Sequence, residues 1–279
     1  MTSSFFSYID KVFRKTDREH VLRTKNIKLI PGLSDRRGGK LSYAEWAHVI
    51  GIFQTIIYQS LENKTGNNIL DIGCGTGLLA MSSQPFIYAG GTYTGIDVMA
   101  KEVAFCKQHY TDKEFNFVHF DVANPTYAEN QLKEHKPWPV ADESQDLVTA
   151  LSVWTHLDEN DALFYFKEIY RVLKAGQKAI VTFFYLNQDY KDSLAKREDG
   201  VARFHSTAQK AWIFDKESYG SKNWLTTNWT KYPEDAIGVT AEGMDLLIKE
   251  SGLKLLKYYP GNWKEAPGVY FQDVLIFQK

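Results

Sequence analysis

Asn68-Ile-Leu-Asp-Ile-Gly-Cys-Gly-Thr-Gly-Leu78 decides how this chain is read. A short apolar run ends at Ile72, a turn with glycines at 73, 75 and 77 follows, and Leu78 opens a helical pattern. Glycine lets a backbone pass close to a ligand and adopt torsions that other residues avoid. The spacing is G-x-G-x-G preceded by Asp71, unlike the G-x-G-x-x-G turn that seats a pyrophosphate.

Downstream of the turn, short apolar runs alternate with helical patterns, which is the signature of βαβ units and a parallel sheet. Strands are predicted over Asn67 to Ile72, Thr92 to Asp97, Phe115 to Phe120, Asp146 to Leu151 and Lys178 to Tyr185. Helices are predicted from Leu78, over Met99 to His109 and over Asp161 to Leu173, where Leu163, Phe166, Ile169 and Tyr170 keep helical spacing before Gly176. A further helix spans Ala241 to Ser251, stopped by Gly252. The last two strands, Leu253 to Tyr259 and Val269 to Phe277, are separated by too few residues for a helical crossover and should pair antiparallel.

Two segments stand outside the alternation. Before Asn67 lie a loop from Pro31 to Lys40 and a helix over Tyr43 to Leu61. Between Asn187 and Thr240 lies an insertion carrying Phe204, His205, Trp212, Phe214, Tyr219, Trp224, Trp229 and Tyr232. Long insertions in compact domains are commonly lids or binding loops. The expected fold is therefore α/β, a doubly wound and mostly parallel sheet with a C-terminal antiparallel hairpin, plus an N-terminal helical region and a cap insertion. Its parts are residues 1–66, a core over 67–186, the aromatic cap over 187–240, and a closing helix and hairpin over 241–279.

Successive strands end in carboxylates. Asp71 closes the first, Asp97 the second and Asp121 follows the third in Phe117-Val-His-Phe-Asp121-Val122. Asp97 stands at the distance from the glycine turn where an acid meets ribose hydroxyls. Any strand-end aspartate can also cap a helix, so that reading stays open for both Asp97 and Asp121.

These residues, with Asp146-Leu-Val-Thr-Ala-Leu-Ser-Val-Trp-Thr-His156 and Tyr170-Arg-Val-Leu-Lys-Ala-Gly176, resemble the class I S-adenosylmethionine (SAM)-dependent methyltransferases, whose core is Rossmann-like. The resemblance implies SAM as cofactor, with Gly73, Gly75 and Gly77 around its methionine part and Asp71 near its ammonium. It implies Asp97 on the ribose, Asp121 near adenine with Val98 and Val122 flanking the ring, and the Leu151 backbone near the ammonium. Cys74 sits in the same turn and is expected to fill it. Ala175 stands where the family usually has proline.

Methyl transfer from a sulfonium is an in-line displacement, and a hydroxyl acceptor must also lose a proton. His156 is the first candidate base because it follows strand four and an ordinary imidazole titrates near neutrality. His205 in the insertion is the second, while His119 is expected to be structural. Arg37, Tyr43, Trp46 and Trp154 are expected to cover cofactor or substrate, with Arg36 beside them. The insertion's aromatic residues would line a pocket or form the insertion's own core.

Absences narrow the substrate. No Asn-Pro-Pro-Tyr or Asp-Pro-Pro-Tyr segment and no pair of glutamates follows strand four. A net charge of -1 provides no general field for nucleic acid or anionic lipid. The expectation is O-methylation of a small-molecule or saccharide hydroxyl, without nucleic acid or membrane as partner. Arg36-Arg37-Gly-Gly, Ser152 to His156 and Gln272-Asp273 resemble bacterial methyltransferases of glycan or secondary-metabolite pathways. A non-catalytic SAM-binding regulator is the alternative, and a nicotinamide-dependent oxidoreductase is disfavoured by the glycine spacing and terminal hairpin. Two cysteines, no signal-peptide pattern and no metal-ligand spacing lead to an expected cytoplasmic location and no metal. Nothing in the sequence specifies an oligomeric state.

Overall fold

The computed structural model describes residues 3–16, 29–38, 40–122 and 135–279. Gly39 of the expected Pro31-to-Lys40 loop and residues 123–134 of the expected core lie outside the described residues. The chain divides into two compact units, Met1–Phe120 and Asp121–Lys279.

The first unit begins with α1 (Ser3–Thr16) and α2 (Tyr43–Ser60). Ser42 caps α2 by accepting from Glu45 N–H, and the Glu45 carboxylate accepts from Leu41 N–H in return. Tyr43, Trp46, Ile50, Phe53 and Ile57 recur at helical spacing and turn one face of α2 inward. Then come β1 (Asn68–Ile72), α3 (Leu78–Ile87), β2 (Thr92–Asp97), α4 (Ala100–His109) and β3 (Phe115–His119). The strands run parallel in the order β3-β2-β1, with Ile72 beside Ile96 and Asp97 beside His119. Four of the five β1 residues are buried, so this strand reads as a continuous apolar run around a single acid.

The second unit is organised on one long strand. It contains β4 (Gln145–Ala150), α5 (Glu159–Val172), β5 (Leu173–Leu186), α6 (Gln188–Leu194), β6 (Phe214–Ser218), β7 (Ser221–Thr227) and β8 (Ile237–Thr240). It closes with α7 (Ala241–Ser251), β9 (Lys254–Tyr259) and β10 (Asp273–Gln278). β5 pairs in parallel with β4 as far as Val181 and in parallel with β8 from Phe184 to Leu186. β10 lies antiparallel to β5 and to β9, so the closing hairpin is as expected.

The insertion departs from a plain cap. β6, β7 and β8 pair antiparallel in series, extending the order β4-β5-β8-β7-β6. These strands escaped sequence reading for local reasons. β6 has three exposed polar residues in Phe-Asp-Lys-Glu-Ser, and β8 is only four residues long and follows Pro233 closely. The inward aromatic residues pack together. Tyr190 and Phe214 join Phe184, Leu186 and Trp263 in one cluster, with Trp212 and Phe271 against it. Trp224 is fully buried, whereas Phe204, Tyr219, Trp229 and Tyr232 are exposed.

Candidate cofactor and acceptor site

In the first unit the glycine turn is tethered to the end of β2. Gly73 N–H and Cys74 N–H both donate to the Ile96 carbonyl, at 2.8 and 3.1 Å. The Asp97 carboxylate takes Gly75 N–H on one oxygen at 2.7 Å and Met99 N–H on the other at 2.8 Å. It thus joins the turn after β1 to the start of α4. Burial pushes the Asp97 carboxyl above its ordinary value, opposed by those two amides. Asp71 is buried beneath the turn and accepts from the Tyr93 hydroxyl.

Two of the glycines answer different demands. At Gly75 (φ 50°) a Cβ would meet nothing within 4 Å, so the turn faces open space there. At Gly77 (φ 90°) a Cβ would come within 2.3 Å of the Tyr110 hydroxyl oxygen, which donates to the Gly77 carbonyl at 2.8 Å. Cys74 is buried, and the Cys106 thiol donates to the Gly75 carbonyl at 3.3 Å. The hydrogen bond with Cys106, then burial, pushes the Cys74 thiol well up, which suits a turn-filling residue and opposes a nucleophile.

The preceding loop closes on this turn. Thr76 Oγ1 donates to the Asp35 carbonyl at 2.9 Å, and Arg37 holds buried Glu102 of α4 at 2.6 Å. Arg36 serves as a staple, bonded to Asp10 and to the Pro31 and Leu41 carbonyls. Tyr43 and Trp46, expected as cover, are each only 2% exposed and pack into the unit's interior. Val98 is half-buried, and its carbonyl accepts from His119 Nε2 at 3.0 Å, a structural role for that histidine.

In the second unit Asp121 is exposed and Val122 half-buried. After β4 the residues Leu151, Ser152 and Val153 are half-buried, and Ser152 adopts φ 60°. A single helical turn, Trp154–His156, follows. Trp154 is fully buried, donates to the Ala162 carbonyl and meets Phe166 and Phe183, so it is a core residue and presents no face to a ligand. His156 Nδ1 lies 2.5 Å from the Glu234 carbonyl oxygen. A carbonyl only accepts, so Nδ1 carries the hydrogen and the basic lone pair belongs to Nε2. Burial lowers the His156 pKa, only partly countered by the Glu234 carbonyl and Asp235, which keeps the ring neutral near pH 7.

His205 does not join that group. Its Nε2 lies 3.1 Å from Glu265 Oε1 and its Nδ1 2.8 Å from Thr207 Oγ1, with both acidic and imidazole side chains almost wholly buried. Nδ1 therefore faces Thr207 within the insertion, and Nε2 faces Glu265 in the segment between β9 and β10. Sequence reading missed Glu234, whose two carboxylate oxygens share the Tyr219 hydroxyl hydrogen, and missed the contacts of Ser152. A partner 78 residues from His156 leaves no local signal. Among the described residues no group of three or more His, Cys, Asp or Glu is placed to hold a metal ion, and no helix is long and apolar enough to cross a membrane.

Residues 70–181 match the family model of the methyltransferase domain. A ubiquinone biosynthesis O-methyltransferase from Hydrogenovibrio crunogenus is 31% identical over 142 residues, 49% of this chain and 48% of that protein. An arsenite methyltransferase from Aquipseudomonas alcaligenes is 24% identical over 133 residues, 48% of this chain and 37% of its own length. The chain thus spans about half or less of these curated relatives. Among solved structures, an S-adenosylmethionine-dependent methyltransferase from Mesorhizobium loti superposes with TM-score 0.52 at 14% identity, covering 81% of this chain and 96% of that one. Residues 70–181 are a methyltransferase domain, and the fold around them is that of the class I SAM-dependent methyltransferases.

Proposed function

We propose that this protein is a SAM-dependent methyltransferase that methylates a hydroxyl of a small molecule or saccharide by in-line transfer. The observation that carries the reading is the Asp97 carboxylate bonded to Gly75 N–H and Met99 N–H beside a glycine turn that opens to space at Gly75. Those residues fit SAM. Each carboxylate oxygen of Asp97 has spent one lone pair on an amide and keeps another for a ribose hydroxyl. Gly73, Gly75 and Gly77 admit the methionine part, Asp121 and Val122 belong with adenine, and the Leu151 backbone with the ammonium. When bound, SAM supplies a methyl group activated by its sulfonium.

The chain's own work is to orient the acceptor, exclude water and receive a proton. Holding reactants in line can lower a barrier by roughly 7–11 kcal/mol. His156 suits the proton, being neutral with Nδ1 fixed on Glu234 and its lone pair at Nε2. An oxygen acceptor is supported by the relative named for O-methylation. Arsenite is less well supported, because trivalent arsenic favours thiolates and both cysteines of this chain are buried.

The test is transfer of labelled methyl from SAM to a panel of phenols, polyols and saccharides. His156→Ala should bind S-adenosylhomocysteine (SAH) normally and lose about 10²–10⁴-fold in turnover. The acid limb of wild-type turnover should lie below the ordinary imidazole value near 6.5, since burial lowers the His156 pKa. Unchanged turnover in His156→Ala would remove it as base. Tight SAH binding with no acceptor methylated across the panel would favour a regulator.

A further inference from the structure

Ser152, two residues beyond β4, has φ 60°, a left-handed conformation that costs a residue with a Cβ. Three hydrogen bonds surround it in a closed ring. Ser152 N–H donates to Thr182 Oγ1 at 2.7 Å, Thr182 Oγ1 donates to Gln272 Oε1 at 2.8 Å, and Ser152 Oγ donates to the same Oε1 at 2.8 Å. The ring joins Ser152, two residues beyond β4, to the middle of β5 and to the residue before β10. Thr182 is fully buried and Gln272 is 7% exposed.

Gln272 is itself held firmly by its neighbour. Asp273 is fully buried and accepts from Gly261 N–H at 2.8 Å, Tyr185 N–H at 2.8 Å and Trp263 Nε1 at 3.0 Å, and pairs with Lys264 at 3.0 Å. A glycine at 152 would reach the same torsions at little cost. A strained residue persists where the structure around it over-determines its conformation, and such residues gather at functional sites.

We propose that Gln272, with Thr182, is a positioning residue that holds Ser152 left-handed and so sets the backbone of residues 151–153 for ligand binding. This rests on the reading above, in which the Leu151 backbone meets the SAM ammonium. Gln272 touches no cofactor in this account and acts through Ser152.

The experiment is a double-mutant cycle on the full chain with Gln272→Ala and Ser152→Gly, read by SAH titration and by hydrogen exchange at the Ser152 amide. Q272A should weaken SAH binding about 5- to 30-fold, the range that follows from releasing a left-handed serine. In the S152G background the same substitution should change affinity by about twofold or less, the non-additivity that marks residues coupled to one another. Exchange at the Ser152 amide should speed up in Q272A, because its Thr182 acceptor loses support. Wild-type affinity in Q272A, or an equal loss in the S152G background, would overturn the proposal. If wild type fails to bind SAH, the cofactor reading falls with the ligand clause. Exchange would then decide the clamp alone, with unchanged protection in Q272A refuting it.

Discussion

Asp97 binds two amides that belong to different elements, which makes it more than a strand-end acid. Asp97→Asn replaces one acceptor oxygen with a donor facing an amide hydrogen, and removes the charge from both bonds. SAH affinity should then fall about ten- to a hundredfold, as charge-assisted hydrogen bonds are lost, when measured calorimetrically. The pH dependence has a definite sign. Burial raises the Asp97 pKa above the unfolded value, so the native chain takes up this proton before the unfolded chain does. The carboxylate's burial cost is present in full above the folded pKa and is relieved as pH falls through it. SAH affinity should move the opposite way, weakening on acidification with a midpoint above the ordinary value near 3.9. An affinity independent of acidification down to that value would contradict an Asp97 anchor. Asp97 was legible because its spacing from Gly77 is a local property of one βαβ unit. The dependence of His156 on the Glu234 carbonyl was not, since only the folded chain brings them together.

Buried charge supports the end of the second unit. Lys264 Nζ contacts Asp273 Oδ1 at 3.0 Å, Asn187 Oδ1 at 3.0 Å and the Tyr258 hydroxyl at 2.7 Å, tying the start of α6 to β9 and β10. Burial pushes the Lys264 pKa down and the Asp273 pKa up, and their mutual attraction opposes both shifts. Lys264→Met removes one charge and leaves the other buried. It should cost about 3–5 kcal/mol in urea unfolding. A loss under about 1 kcal/mol would mean that the Gly261 and Tyr185 amides and the Trp263 indole satisfy Asp273 without the lysine. The sequence showed β1, β2, α4 and α7 nearly to the residue: β1 is a continuous apolar run that meets Gly73, β2 ends at Asp97, α4 follows from that strand end, and α7 starts at the Thr240 cap and stops at Gly252. It hid β6, β7 and β8 because an edge strand with exposed charges has no inward pattern, and because β8 is stabilised by β5 and β7 more than by its own composition. The aromatic residues of the insertion signalled burial without saying against what. Phe184, Phe214 and Trp263 now show that much of it is a core.

At the scale of the whole chain, a net charge of -1 and 44% hydrophobic composition describe an ordinary globular protein. The match to the methyltransferase domain covers residues 70–181, and aromatic residues of the insertion pack in one cluster with Phe184 and Trp263. Cofactor class was legible because it rests on one contiguous turn and one acid. Acceptor identity was not, since the relatives that match the domain bear the names of unlike acceptors. The central claim is the cofactor, and calorimetric titration of the purified protein with SAH, using NAD as control ligand, tests it most directly. Micromolar binding of SAH with no binding of NAD is the predicted result. Binding of NAD with none of SAH would contradict the account at its root.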